Sequence, residues 1–199
     1  VYGQSDPGQN QECDDGDECT EDDHCDGMGE CTGDPISECG PYSGLIIYNA
    51  DVSGVQNVLS LDPYTGENGV IIDSPHDDYD ARVSPGRDQI AFVSRRDHTA
   101  PSSDLYLLVG GEVRRLTHLD PAYGIKRISW SADGEYIYFG ALWTTRADIY
   151  RVRSDGTDVE VILPGGTNDT PDISPDGERM LYISQTPGWS PTREVYITP

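Results

Sequence analysis

Apolar and polar residues alternate in short runs along most of the chain, and the runs recur. Residues 172–184 read DISPDGERMLYIS, and weaker copies stand at 82–94 (RVSPGRDQIAFVS) and 128–140 (ISWSADGEYIYFG). Runs of about six residues rich in β-formers, each preceded by turn residues, predict strands rather than helices. Aligned on Ser84, Ser131 and Ser174, the copies are offset by 47 and 43 residues. A second anchor, Asp104-Leu105-Tyr106, recurs as Asp148-Ile149-Tyr150 and Glu194-Val195-Tyr196, at offsets of 44 and 46. Two anchors with the same period in the forties are the signature of propeller blades.

Within each unit the polar residues mark the turns. Pro85-Gly86-Arg87-Asp88, Ala132-Asp133-Gly134-Glu135 and Pro175-Asp176-Gly177-Glu178 precede strands at Gln89–Ser94, Tyr136–Gly140 and Met180–Ser184. Pro presets φ, Asp caps its own backbone and Gly accepts positive φ. A third strand carries the Asp-Leu-Tyr element. A fourth follows Gly110-Gly111 at Val113–Thr117, and Ser154-Asp155-Gly156-Thr157 at Val159–Leu163. The unit is therefore four strands, a to d. An earlier, weaker unit supplies b at Leu45–Ala50, c at Asn57–Leu61 and d at Val70–Asp73, with a turn at residues 62–66. The first unit has no strand a, and the fourth stops after c. The expectation is about fourteen strands, where four full blades need sixteen. Unpaired edges of this kind are normally covered. The cover comes from the N-terminal residues, with Val1-Tyr2-Gly3-Gln4 as a short donor, from a second copy by strand addition, or from a longer chain.

The residues that carry this pattern also carry a family likeness. Ser174-Pro175-Asp176-Gly177-Glu178-Arg179-Met180-Leu181-Tyr182-Ile183-Ser184, with Asp148-Ile149-Tyr150 and Ser154-Asp155-Gly156-Thr157, resembles the repeat of TolB-like β-propellers over roughly residues 75–199. The resemblance implies an all-β fold, a small β-propeller of about four four-stranded blades at approximately 44–74, 75–119, 120–164 and 165–199. It says little about function, because such blades serve many roles.

Charge then divides the chain. The 199 residues carry a net charge of −23, with 13 Lys and Arg against 36 Asp and Glu. A field of that sign repels nucleic acid and anionic membrane surfaces. No apolar run is long enough for membrane insertion. Residues 1–40 hold 13 of the acids, no Lys or Arg and all five cysteines, leaving a Cys-free region at 41–199. The first segment has almost no large apolar side chain, so disulfides or metal must hold it. We read it as disulfide-rich and loop-dominated. It is similar to short Cys-rich repeats of secreted bacterial proteins. Cys13, Cys19, Cys25, Cys31 and Cys39 contain no Cys-x-x-Cys pair, which disfavours zinc. Four of them allow three pairings, and the fifth is either a buried thiol, a remnant of a longer framework or an intermolecular bridge. Asp14, Asp15, Asp17, Asp22 and Asp23 crowd a short stretch with the hard oxygen ligands that suit Ca²⁺. The spacing is not that of an EF-hand, and a solvated acidic loop is the alternative. Asp77, Asp78 and Asp80, and then Asp169 and Asp172, stand just before a strand a of their units, where they would gather at one end of a ring. Turn capping is the plainer reading of them. The cysteines, and the start at Val1, lead us to expect a processed chain that is extracellular or at the cell surface.

Catalytic signatures are not evident. There is no Gly-x-Ser-x-Gly and no phosphate loop, and His24, His76, His98 and His118 read as surface residues outside any triad pattern. The strand tyrosines at 48, 106, 138, 150, 182 and 196 read as blade packing. Trp143 and Trp189, in the b–c loops of successive blades, are candidates for stacking on a glycan. Asn168-Asp169-Thr170 fits a glycosylation sequon on a loop. The sequence thus points first to a non-enzymatic extracellular protein that self-assembles, with copies of itself as partners, through strand complementation or an intersubunit disulfide. A calcium-supported binding module for glycan or protein comes second, and a lyase or glycosidase third.

Overall fold

The computed structural model describes residues 20–25, 31–35, 41–42, 44–98, 102–119, 123–143, 146–185 and 193–198. A hairpin of β1 (Thr20–Cys25) and β2 (Cys31–Pro35) comes first. Four antiparallel sheets follow. Sheet I holds β3 (Ile46–Val52), β4 (Val55–Leu61) and β5 (Asn68–Ile72). Sheet II holds β6 (Asp78–Val83), β7 (Gln89–Ser94), β8 (Asp104–Val109) and β9 (Glu112–Arg115). Sheet III holds β10 (Tyr123–Trp130), β11 (Tyr136–Trp143), β12 (Arg146–Arg153) and β13 (Glu160–Leu163). Sheet IV holds β14 (Asp169–Ile173), β15 (Met180–Gln185) and β16 (Arg193–Thr198). Each sheet is a plain meander, so the four sheets hold fourteen strands, three, four, four and three.

The predicted turns form as the chemistry requires. Ser131 donates to the Asp133 carboxylate at 2.5 Å, and Glu135 N donates to the same Oδ1 at 2.9 Å. Ser174, Asp176 and Glu178 repeat this pattern one blade later. Gly134 and Gly177 take φ of 72° and 73°. In the degenerate copy the glycine is one place early, and Arg87 is forced to φ 55° instead. A left-handed non-glycine residue costs about 1–2 kcal/mol.

Sheets stack face on face around the inner strands. β6 packs on β3 and β4, β10 on β6, β7 and β8, and β14 on β10, β11 and β12. Val58 and Ile72 of sheet I meet Ile90, Phe92 and Tyr106 of sheet II. Leu105 and Leu107 of sheet II meet Trp130, Ile137, Phe139 and Val152 of sheet III. The Trp130 indole N–H also donates to Arg82 O on β6 at 3.0 Å. Each inner strand is broken by a bulge whose extra residue is left-handed, at Asp80, Arg127 and Thr170. Their offsets, 47 and 43, are those of the serine anchors. Bulges bend and twist a strand locally. Here the bend lets Arg127 N reach the Asp80 carboxylate of the neighbouring sheet at 3.0 Å. Among the described strands, none of sheet I packs on sheet IV to a comparable extent. Among the described residues, no further sheet packs beyond sheet I or sheet IV.

Three expectations need correction. Asp22, Asp23 and Cys25 lie on β1 rather than in a loop, with the register irregular between Glu21 and His24. Trp143 is the last residue of β11, not a b–c loop residue. Asp78, Asp80, Asp169 and Asp172 lie within strand a itself, on β6 and β14, rather than just before it. Asn168 stands between β13 and β14, half-buried, and its backbone N–H donates to Ala147 O at 2.8 Å.

Candidate functional site

Several predicted site residues fall outside the described residues: Asp14, Asp15, Asp17, Cys13, Cys19, Cys39 and Trp189. Cys25 and Cys31 are register partners across the β1–β2 hairpin. Among the described residues there is no cluster of three or more His, Cys, Asp or Glu able to hold a metal ion, and no helix is long and apolar enough to cross a membrane. The acids of the inner strands do not converge. Asp77 pairs with Arg95 at 2.9 Å and accepts from Gln56 N. Asp78, fully buried, pairs with Arg96 at 3.0 Å and accepts from Ser74 at 2.6 Å. Asp172 meets Ser129, and Asp169 lies 3.9 Å from Arg193. Their charges are met by arginines and hydroxyls rather than left to attract a cation.

A densely bonded polar cluster lies at the start of β8. Asp104 is wholly buried, yet its carboxylate accepts from Thr117 Oγ1 at 2.6 Å, Leu119 N at 3.0 Å, Arg115 Nη2 at 2.5 Å and His98 Nε2. Burial pushes the Asp104 pKa up, but these four donors together outweigh it and hold the carboxyl below its ordinary value. Tyr106, stacked on Phe92 with centroids 5.8 Å apart, donates to Asp97 at 2.5 Å. Burial and that bond push the Tyr106 phenol far up. His98 is thus no surface residue: its side chain is only 10% exposed. Sequence reading missed it because its partners come from β8 and β9, across a loop. The cluster has no free nucleophile and ties β7–β9 together.

The repeat makes the faces of the sheets comparable position by position. Ala91, Val93, Leu105 and Leu107 form the face of sheet II that is buried on sheet III. Their counterparts in sheet III are Tyr138, Gly140, Ile149 and Arg151. Opposite them Ile173 stands where Trp130 stands, and Thr198 where Val152 stands. Gly140 in place of Val93, Ile173 in place of Trp130 and the polar Tyr138, Arg151 and Thr198 leave a cleft of about 590 Å³ between sheets III and IV, with Tyr138, Arg151, Leu163, Met180 and Thr198 in its walls. Arg151 pairs with Glu160 inside its own sheet, and with Arg153 covers the Tyr136 ring at 4.5 and 4.8 Å. Most polar groups of the cleft are therefore satisfied locally.

In sheet IV the same face is Leu181, Ile183, Val195 and Ile197, and no described sheet packs on it. Val195 is 64% exposed and Ile197 67%. Register joins Leu181 to Ile197 and Ile183 to Val195, so the four form one apolar patch. At the other end of the row, Ile46, Tyr48, Leu59, Leu61 and Val70 share a face of sheet I, with Ile46 50% and Val70 61% exposed. This face corresponds to the Phe92 and Tyr106 face of sheet II, which receives sheet I. Among the described residues no strand pairs with the outer edge of β16, where β9 pairs with β8 and β13 with β12.

Comparison with known proteins places the fold. No family model matches the chain. An uncharacterised protein of Agrobacterium fabrum is 28% identical over 150 residues, covering 72% of this chain and 48% of the relative. The chain thus spans about half the length of the curated relative it matches. The crystal structure of TolB from Acinetobacter baumannii superposes with a TM-score of 0.62 at 20% identity, over 84% of this chain and 43% of that one. The β-propeller domain of the Trilobed protease from Pyrococcus furiosus, described as having an open velcro topology, gives 0.56 at 17% identity, over 84% and 51%. At such identities the likeness speaks for architecture alone, and the architecture serves TolB and a protease alike. The chain has the fold of TolB-like β-propellers.

Proposed function

We propose that the chain is a non-enzymatic structural module of an extracellular or cell-surface protein, and that it assembles with copies of itself into a filament or surface layer. The observation that carries this reading is the end of the sheet row. Among the described residues no strand pairs with the outer edge of β16, where the two middle sheets have a fourth strand, and its flank is apolar. Free edges of this kind accept added strands. An intersubunit disulfide from the odd cysteine of the N-terminal segment would reinforce the join. Calcium on Asp14, Asp15, Asp17, Asp22 and Asp23 would neutralise the segment's mutual repulsion. The test is negative-stain electron microscopy and light scattering at rising concentration, with and without reductant and chelator. Ordered polymers that weaken under reductant or chelator support the reading. A chain that stays at its monomer mass of 21.8 kDa at every concentration overturns it.

The second reading is a calcium-supported binding module for glycan or protein. The cleft between sheets III and IV favours it, being within the size range of small-ligand sites. A glycan array probed with the monomer tests this reading, and an array blank at high protein concentration removes the glycan version.

A further inference from the structure

Sheet-on-sheet stacking within the chain follows one rule. The face built from Leu105 and Leu107 in sheet II is covered by the next sheet, through its Ile137, Phe139 and Val152. The face built from Phe92 and Tyr106 is covered by the sheet before, through Val58 and Ile72. Sheet IV offers the first kind of face with no described sheet packed on it, as Leu181, Ile183, Val195 and Ile197. Sheet I offers the second kind, with Ile46 and Val70 at least half exposed and Tyr48, Leu59 and Leu61 partly so. One end of the row therefore carries the donor half and the other end the acceptor half of an interface the chain already forms inside itself.

We infer that two copies of this chain stack end to end, the Leu181–Ile197 face of one copy on the Ile46–Val70 face of the next. The partner is a second copy because the two open faces are the two halves of the same repeat contact, at opposite ends of one chain. The contact is heterologous, so a stacked pair keeps one free face of each kind, one on each copy, and association continues into rings or linear polymers. This inference rests on the reading of the chain as a self-assembling module and names the surfaces that do it. Face stacking needs neither strand exchange nor a disulfide, so it persists in reductant.

Two variants of the full chain test it, both kept in reductant and chelator. One carries Val195→Glu and Ile197→Glu on sheet IV; the other carries Ile46→Glu and Val70→Glu on sheet I. All four positions are exposed strand residues, and circular dichroism checks that each variant remains a β protein. Wild-type chain should show an apparent mass that climbs with concentration by light scattering. Each variant alone should stay at 21.8 kDa, since each lacks one half of the contact. Mixed in equal amounts they should form a complex of roughly twice that mass and no larger, through the one intact pair of faces. As a second readout, a photo-crosslinking amino acid at Ile197 of the otherwise unchanged chain should label residues of β3 to β5 in another copy. If both variants polymerise like wild type, or crosslinks from position 197 map elsewhere, face stacking is overturned while self-assembly survives. A wild-type chain that is monomeric with and without reductant and chelator removes both.

Discussion

Asp104 shows how much one residue can organise. It is a carboxylate without solvent contact, stabilised as the anion by an arginine, a histidine, a hydroxyl and a backbone N–H. Asp104→Asn removes the charge but leaves Arg115 and His98 in place, and should cost roughly 2–4 kcal/mol, since Arg115 is partly solvated and the loss is less than for a fully buried pair. Urea unfolding at neutral pH measures this. The same bonds set an acid dependence. The folded Asp104 pKa is lowered relative to the unfolded value of about 3.9, so its stabilisation is complete above that value and is lost as pH falls through the folded pKa. Unfolding curves taken from neutral pH down to about pH 2 should steepen in loss below about pH 4, and Asp104→Asn should flatten that slope. In the sequence Asp104 is visible only as a repeat anchor. Its partners at 98, 115, 117 and 119 are contributed by the β7–β8 loop and by the β9 arm, so the cluster exists only after the sheet has formed.

At the scale of the element, the turns and the strands that follow them were legible because their requirements are local, whereas the bounds of the innermost strands were not. Ser-x-Asp-Gly writes a turn whichever sheet it serves, and the glycine must be left-handed. Gly177→Ala adds a Cβ at φ 73°, 3.3 Å from the Ala132 Cβ, and should lower stability by about 1–2 kcal/mol. Differential scanning calorimetry would register it as a fall in Tm. Gly111→Ala, also at positive φ but with open space around it, should show the backbone part of that loss without the contact. Trp130 is the opposite case, a residue that nothing in the sequence singles out and that seals sheet II to sheet III. Trp130→Ala removes a side chain that is 8% exposed and its bond to Arg82 O, and should cost about 3–5 kcal/mol. The bulges at Asp80, Arg127 and Thr170 were not legible, because no residue type there announces positive φ. The twist demanded by the neighbouring sheet selects it.

On the scale of the whole molecule, charge and open ends dominate. A net charge of −23 repels both the compact state and a second copy. Raising ionic strength from about 0.01 M to about 0.15 M shortens the Debye length from about 30 Å to about 8 Å. Thermal midpoint and apparent mass should both rise across that range, as followed by calorimetry and light scattering with sodium chloride as the only variable. A midpoint that falls with salt would mean that the surface ion pairs outweigh the overall repulsion. The sequence by itself determined the repeat, the strand count and the turn chemistry, because strand period and turn propensity act within a few residues. It also determined the split between an acidic Cys-rich segment and a Cys-free region. Only the tertiary structure decided which acids are neutralised by arginines, where His98 is buried, and that Ile173 and Arg151 hollow one interface that Trp130 and Leu107 fill in another. It alone also showed which two apolar faces remain uncovered. Each of these depends on residues more than forty positions apart being brought face to face, and face-to-face packing has no signature in local alternation.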